Sequence, residues 1–389
     1  MTREIDIDEI TDALRYSPVV ALLGPRQSGK TTLARQVVRS GLFSGNEGLN
    51  YFDLEDPAQV ERLAFPKLAL ERLQGLVVID EVQFRPDLFP ILRILADREK
   101  NPARFLILGS ASRDLIRQGS ETLAGRIHFV EVAPFHLQEV GTESADNLWL
   151  RGGFPPSFLA ESESQSWSWR ENYLRTFMER DIPLLGLRVP PLTLRRFWVM
   201  LAHYHGQLFN ASEIGKSLGL SDKTVSHYLD ILAGTFMVRR LPPWFENLRK
   251  RQIKSHKIYF RDSGIFHRLL GVAEKDMLMS HPKLGASWEG FALEQIIRQS
   301  RASEEDLFFW GVHNQAELDL LFFHRGRRYG VEIKYTDTPK VTASQNQALQ
   351  HLALDSLTLV VPGNRSYPLA DRINVQGLNH LIENGLPEK

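Results

Sequence analysis

Gly24, Gly29, Lys30 and Thr31 are spaced as G-x-x-x-x-G-K-[ST], the pattern of a loop that cradles phosphate. Each residue type has a physical task there. The glycines let the chain turn tightly, so that consecutive N–H groups face a phosphate. Lys30 can reach the β- and γ-phosphates of a nucleotide, and the Thr31 hydroxyl can ligate Mg²⁺. Gly24, Pro25, Arg26, Gln27, Ser28, Gly29, Lys30, Thr31 and Thr32 are therefore expected to line a nucleotide site. About 50 residues further on, an apolar run ends in Asp80 and Glu81. Asp80 is expected to hold Mg²⁺ through water, and Glu81 to orient and polarise an attacking water. Ser110 follows another apolar run, where it either senses the γ-phosphate or simply serves a turn.

A second constellation lies near the other end of the chain. Glu332 and Lys334 are two residues apart on a predicted strand, so both point to one face. Asp319, on the strand before, could share a divalent cation with Glu332, while Lys334 lies near an attacking water and a scissile phosphate. Glu289 or Glu294, on an amphipathic helix over Trp288–Ile297, could add a carboxylate. Asp followed by Glu-x-Lys on consecutive strands resembles the restriction-endonuclease-like folds. Such a triad is compatible with cleavage, with metal-dependent DNA binding, or with a relict scaffold.

A third group suits nucleic acid. Two short predicted helices meet at Gly219, and Ser221 is placed as the N-cap of the second. This is a helix-turn-helix pattern, and the runs Phe236–Leu241 and Lys257–Phe260 supply two wing strands. Ser221, Lys223, Thr224 and His227 would then project toward a DNA groove. Between Arg239 and Arg261 there are eight basic residues (Arg239, Arg240, Arg249, Lys250, Arg251, Lys254, Lys257 and Arg261) against one acid, Glu246. That local excess suits a phosphate backbone; the alternative is a module used only for protein packing.

The elements that must position these residues follow from apolar patterning. Val19–Leu23 reads as a buried strand leading into the phosphate loop, and Thr31–Arg39 as the helix leaving it. Leu49–Leu54, Leu76–Glu81, Arg104–Leu108 and Ile127–Val132 read as further strands alternating with helices. The expected fold class is α/β, with a parallel sheet whose ligand binds at the carboxyl ends of the strands. Residues 136–203 are mainly helical and are read as a lid. The expected domains are a P-loop domain over 1–135, the lid over 136–203, a winged helix over 204–262 and an α/β nuclease-like domain over 263–389.

Composition adds bounds. A chain of 389 residues exceeds one ordinary core, so several domains are expected. Lys plus Arg and Asp plus Glu number 47 each, so only local patches bear on partners. The absence of cysteine excludes disulfides, thiolate zinc sites and cysteine nucleophiles. No apolar run approaches the ~18 residues of a membrane span. The acidic N-terminus lacks a signal-peptide core, so the expected location is cytoplasmic, with no membrane partner.

Gly24–Leu33, Val78–Gln83, Leu108–Ser110 and Leu123–Arg126 together resemble the bacterial and archaeal AAA-type ATPases of unknown function. These pair a P-loop domain with a C-terminal domain of unknown function. Gly152–Pro155, Arg180–Pro183, Tyr259–Gly264 and Ala286–Phe291 share the likeness, which spans nearly the whole chain. The resemblance implies an AAA-like ATPase using ATP and Mg²⁺, in a homo-oligomer such as a hexamer, without a settled biological role. It also implies an arginine that reaches a neighbouring subunit's γ-phosphate, worth ~10³–10⁵ in rate. Arg126 is the candidate, with Arg113 and Arg117 as rivals and a local ion pair as the alternative. Two functions are expected. One is an ATP-dependent enzyme acting on DNA, branched DNA included, as a motor or remodeller with nuclease capability. The other is a nucleotide-controlled switch that assembles protein complexes around an inert nuclease-like domain.

Overall fold

The computed structural model describes residues 3–41, 50–99, 103–110, 121–184, 189–245, 255–312, 316–324 and 326–385. The chain falls into two compact units, one of residues 1–134 with 234–236, the other of residues 135–233 with 237–389.

The first unit is built on five parallel strands: β1 (Val19–Leu23), β2 (Tyr51–Asp53), β3 (Gly75–Asp80), β4 (Ala103–Gly109) and β5 (Ile127–Glu131). They lie in the order β2-β3-β4-β1-β5. β1 is buried at all five positions, and β3 and β4 are nearly so. Strands covered on both faces must be apolar throughout, which is why these segments lack a polar alternation. Val20, Leu22, Val78, Leu106 and Leu108 pack against Ile10 and Leu14 of the Glu4–Tyr16 helix and Leu33 and Val37 of the Lys30–Arg39 helix. The strand order reverses beside β1, so a crevice opens at its carboxyl end.

The second unit opens with helices, among them Glu163–Thr176 and Pro191–His203. A short strand, β6 (Gln207–Leu208), precedes the helices Ala211–Leu218 and Asp222–Gly234. Gly219 ends the first of these in the left-handed conformation that its φ of 69° requires. β7 (Val238–Leu241) and β8 (Lys257–Phe260) then form an antiparallel pair, in a sheet of order β6-β8-β7.

The helix Leu284–Ser300 leads into a six-stranded sheet of β9 (Leu307–Val312), β10 (Ala316–His324), β11 (Arg327–Ile333), β12 (Ser356–Val361), β13 (Ser366–Ala370) and β14 (Ile373–Gly377). Its order is β13-β14-β12-β11-β10-β9. β9, β10 and β11 are antiparallel neighbours, and β12 joins β11 in parallel after the Ala343–His351 helix. Leu320, Phe322, Val331 and Ile333 face Phe291, Leu293 and Leu381, whereas Leu318, Leu321, Leu357 and Leu359 face Ala348 and Leu349. Both faces of this sheet are thus covered by helices. The chain leaving β7 docks on its edge, where Trp244 N–H donates to Phe309 O (2.7 Å) and Phe309 N–H to Pro242 O (2.9 Å).

Two segments far apart in the chain are tied together inside this unit. Gly153 N–H donates to Asp262 Oδ2 (2.7 Å), and Asp262 also caps the Ser263–Leu270 helix through Ile265 N–H (2.8 Å). Gly264 must lack a side chain, because a Cβ there would lie 2.0 Å from Arg151 O.

Candidate functional site

At the carboxyl end of β1 the chain turns through Gln27, with φ of 61°, and Gly29, with φ of 95°, into the Lys30–Arg39 helix. No side chain caps that helix, so its first N–H groups face the crevice. Gly24 is required by packing: a Cβ would meet Val132 O at 2.0 Å. The loop is braced from below by the buried Arg3, which donates to Ser28 O (3.0 Å) and Ala133 O (2.9 Å). Lys30 is buried and donates to Gly24 O (2.9 Å) and Pro25 O (2.8 Å). Burial pushes its pKa down to about 8, against the pull of Glu81 and Asp80.

The acids stand opposite. Asp80 Oδ2 accepts from the Thr31 hydroxyl (2.7 Å) and from the Tyr51 hydroxyl (2.7 Å), and Oδ1 accepts from Glu81 N–H (3.0 Å). Glu81 does not continue β3, contrary to the expected strand over Leu76–Glu81. Its backbone is left-handed, φ 56° and ψ 46°, which lifts its carboxylate off the strand. Both carboxylate oxygens accept from the Ser110 hydroxyl (3.1 and 3.0 Å), and one also accepts from Gln83. Arg26 pairs with Glu55, while Gln27 and Thr32 are exposed. The buried Ser28 Oγ has no hydrogen-bond partner among the described residues. An orphan hydroxyl, uncapped helix amides and a buried ammonium in one loop fit a polyphosphate, with Thr31 and Asp80 placed for its Mg²⁺. Spacing did not signal Arg3, Tyr51 and Gln83. Only Gln83, two residues beyond Glu81, lay close enough in the chain to be weighed.

Arg126 stands elsewhere. It precedes β5, whose first residue pairs with Val19 at the start of β1, so within one chain it lies at the opposite end of the sheet from the loop. Its guanidinium pairs with Asp97 and donates to Ala124 O (3.0 Å). Burial is slight, and the local ion pair is the arrangement seen. Arg113 and Arg117 lie outside the described residues.

The C-terminal constellation does assemble. Asp319 sits where the pairing of β10 with β9 shifts register between Leu318 and Leu321, an irregularity of the kind that re-aims a side chain. Asp319 Oδ2 accepts from Ile333 N–H (2.9 Å), and Lys334 Nζ meets Glu332 Oε1 at 2.8 Å. Glu289 joins this cluster, accepting from the Tyr259 hydroxyl (2.6 Å). Glu294 does not: its carboxylate is held by Arg239 (2.5 and 3.0 Å) and Arg261 (3.6 Å). Burial, then Asp319, pushes Glu289 up to about 7 and Glu332 up to about 8.

The expectation that Asp319 and Glu332 share a divalent cation needs correcting. A lysine from β8 stands among the acids. Lys257 Nζ lies 3.4 Å from Asp319 and 3.8 Å from Glu289, and pairs with Glu317. Nor do three acids of this cluster bring oxygens within 4.8 Å of one another. As arranged, these residues do not fit a metal.

The expected DNA-facing residues divide. Ser221, just before the Asp222–Gly234 helix, and Lys223 and His227 on it are exposed. The Ser221 and Thr224 hydroxyls bond each other (2.8 Å), and Ser221 caps Thr224 N–H (3.1 Å). The basic stretch is not a free patch. Arg239 and Arg261 hold Glu294 and Glu304, Arg240 pairs with Asp230, and Lys257 is buried. Arg249, Lys250, Arg251 and Lys254 lie outside the described residues.

Parallel strands in this order, with a phosphate loop after β1 and an acidic pair after β3, define a P-loop ATPase of the AAA type. Residues 16–141 accordingly match the family model described as AAA domain. Residues 142–276 and 284–381 match two domains of unknown function, DUF8612 and DUF4143. Uncharacterized proteins of Mycobacterium bovis and Mycobacterium tuberculosis are each 49% identical over 373 residues, covering 96% of this chain and 83% of theirs. The chain belongs to the same family as these mycobacterial proteins. Among solved structures, the Walker-type ATPase of Pyrococcus abyssi is similar with a TM-score of 0.46 and 16% identity, over 69% of this chain and 95% of that one. The DNA clamp loader delta protein of Bacillus subtilis is similar with a TM-score of 0.30 and 13% identity, over 58% and 86%. Among the described residues, no helix is long and apolar enough to cross a membrane.

Proposed function

We propose that this protein binds and hydrolyses ATP in the crevice at the end of β1 and couples turnover to DNA through the second unit. The observation that carries the reading is the hydrogen-bonded chain Thr31–Asp80–Glu81–Ser110 facing the phosphate loop. Lys30 and the amides of Gly29 to Thr32 hold the β- and γ-phosphates. Thr31 and Asp80 would hold Mg²⁺, which when bound neutralises phosphate charge. Glu81 orients and deprotonates the attacking water, and Ser110, bonded to that carboxylate, reports the state of the γ-phosphate. In a homo-oligomer, hexameric or otherwise, Arg126 serves a neighbouring subunit's site.

Within the second unit, the order strand, helix, helix and two-stranded hairpin supports a winged helix over 204–262. Its Asp222–Gly234 helix would meet a groove through Lys223 and His227. The order helix, three antiparallel strands, helix, parallel strand supports a restriction-endonuclease-like fold over 263–389, acting as a scaffold. A second reading has a specific observation in its favour. Arg239, Arg240, Lys257 and Arg261 are engaged internally, as befits a nucleotide-controlled assembly switch that makes no use of DNA.

ATP turnover with and without single-stranded, duplex and branched DNA separates the two. DNA stimulation that weakens with salt supports the first reading; turnover indifferent to every DNA supports the switch. Lys30→Ala should lose nucleotide binding. Glu81→Gln should bind ATP normally and hydrolyse it about 100-fold more slowly or worse. Equal hydrolysis by the Glu81 variant and wild type would remove that residue from the mechanism.

A further inference from the structure

We propose that Lys257 is a built-in counter-ion that closes the carboxylate site of the C-terminal sheet, and that removing its charge opens a divalent-cation site there. Lys257 comes from β8, outside the six-stranded sheet, yet its ammonium is buried at 3% exposure beside Asp319, Glu289 and Glu317. Burying a cation is costly unless carboxylates surround it, and here three do. Tyr259, two residues along β8, points the same way and donates to Glu289 (2.6 Å). One strand therefore delivers both an ammonium and a hydroxyl to the acids.

The acids have capacity for more. Glu332 is 6% exposed, and its Oε2 is buried with no partner among the described residues. Among the described residues, Asp319 Oδ1 accepts a hydrogen bond only from Lys257, at the long distance of 3.4 Å. A divalent cation bound by Asp319 would sit roughly 2.0–2.6 Å from that oxygen. Two cations cannot share that space, so ammonium and metal exclude each other. Lys257 and Glu317 also line an open groove of about 1160 Å³, together with Tyr204, Asn210 and His256.

The test is Mn²⁺ binding to the full chain without nucleotide, read by calorimetry and by loss of the free-ion paramagnetic resonance signal. Wild type should show no site that depends on Asp319. Lys257→Met should gain one, at least ~10-fold tighter than any wild-type binding there, and Asp319→Asn added to it should abolish the gain. If Lys257→Met fails to fold, Lys257→Gln combined with Glu289→Gln removes one buried charge of each sign and should also gain the site. A folded variant that gains no Asp319-dependent site overturns the proposal. So does Asp319-dependent binding by wild type, a measurement that needs no variant to fold. ATP turnover of the same proteins is read in parallel, so failure of the ATPase reading is distinguishable from failure of this one.

Discussion

At the scale of single residues, the proposed ATP site contains one group whose task would be indirect. Tyr51 donates to the same Asp80 oxygen that receives the Thr31 hydroxyl. From the neighbouring strand it would act as a positioning residue, holding that carboxylate's rotamer. Tyr51→Phe should raise the Mg²⁺ concentration needed for half-maximal turnover by about 10-fold, as loss of an outer partner does at metal sites. ATP binding without Mg²⁺ should not change, and an unaltered Mg²⁺ requirement would make Tyr51 merely structural. The pattern of Lys30, Thr31, Asp80 and Glu81 was legible because the chemistry proposed for them imposes a spacing along the chain. Tyr51 and Lys257 were not. Each reaches its partner from a different strand, 29 and 62 residues away, and no local pattern records such a meeting.

At the scale of elements, β7 and the Leu284–Ser300 helix are joined by charge. Arg239 and Glu294 are both buried and meet through two hydrogen bonds, at 2.5 and 3.0 Å. Desolvation works to raise the Glu294 pKa, but Arg239 and Arg261 outweigh it and hold it below the ordinary value. Arg239→Met would remove both short hydrogen bonds and leave that buried carboxylate only the weaker pull of Arg261 and Arg298. The expected loss is about 3 kcal/mol in urea unfolding of the second unit, and Glu294→Met added to it should restore most of this. A loss below roughly 0.5 kcal/mol would mark the pair as no stronger than a surface bridge. The stretch from Arg239 to Arg261 shows why charge is harder to read than apolar runs. Sequence counts cations, whereas partners such as Glu294, Glu304 and Asp319 arrive from elsewhere in the chain. The β1 strand and the helix after the loop were legible almost to the residue, since burial on both faces leaves a continuous apolar signature.

At the scale of the whole molecule, Arg126 lies where its own chain's phosphates cannot use it. If it serves a neighbour, Arg126→Ala should bind ATP and hydrolyse it poorly. Mixing that protein with Glu81→Gln should recover part of the activity, because some interfaces would then carry an intact Arg126 against an intact Glu81. No recovery in a mixture shown to co-assemble would exclude the role in trans. Length and composition indicated several domains, but not that everything from Phe135 onward, save a short segment, packs into one unit. That outcome depends on ties such as the one between Gly153 and Asp262, which lie 109 residues apart. The tie has a consequence for the making of the protein. A ribosome adds roughly 5–20 residues each second, so the Gly153 amide waits roughly 5 to 20 seconds for its acceptor to emerge. During that interval the helices around it have been synthesised but cannot close their core. The nascent chain is therefore most open to chaperone capture, and to aggregation, midway through its translation.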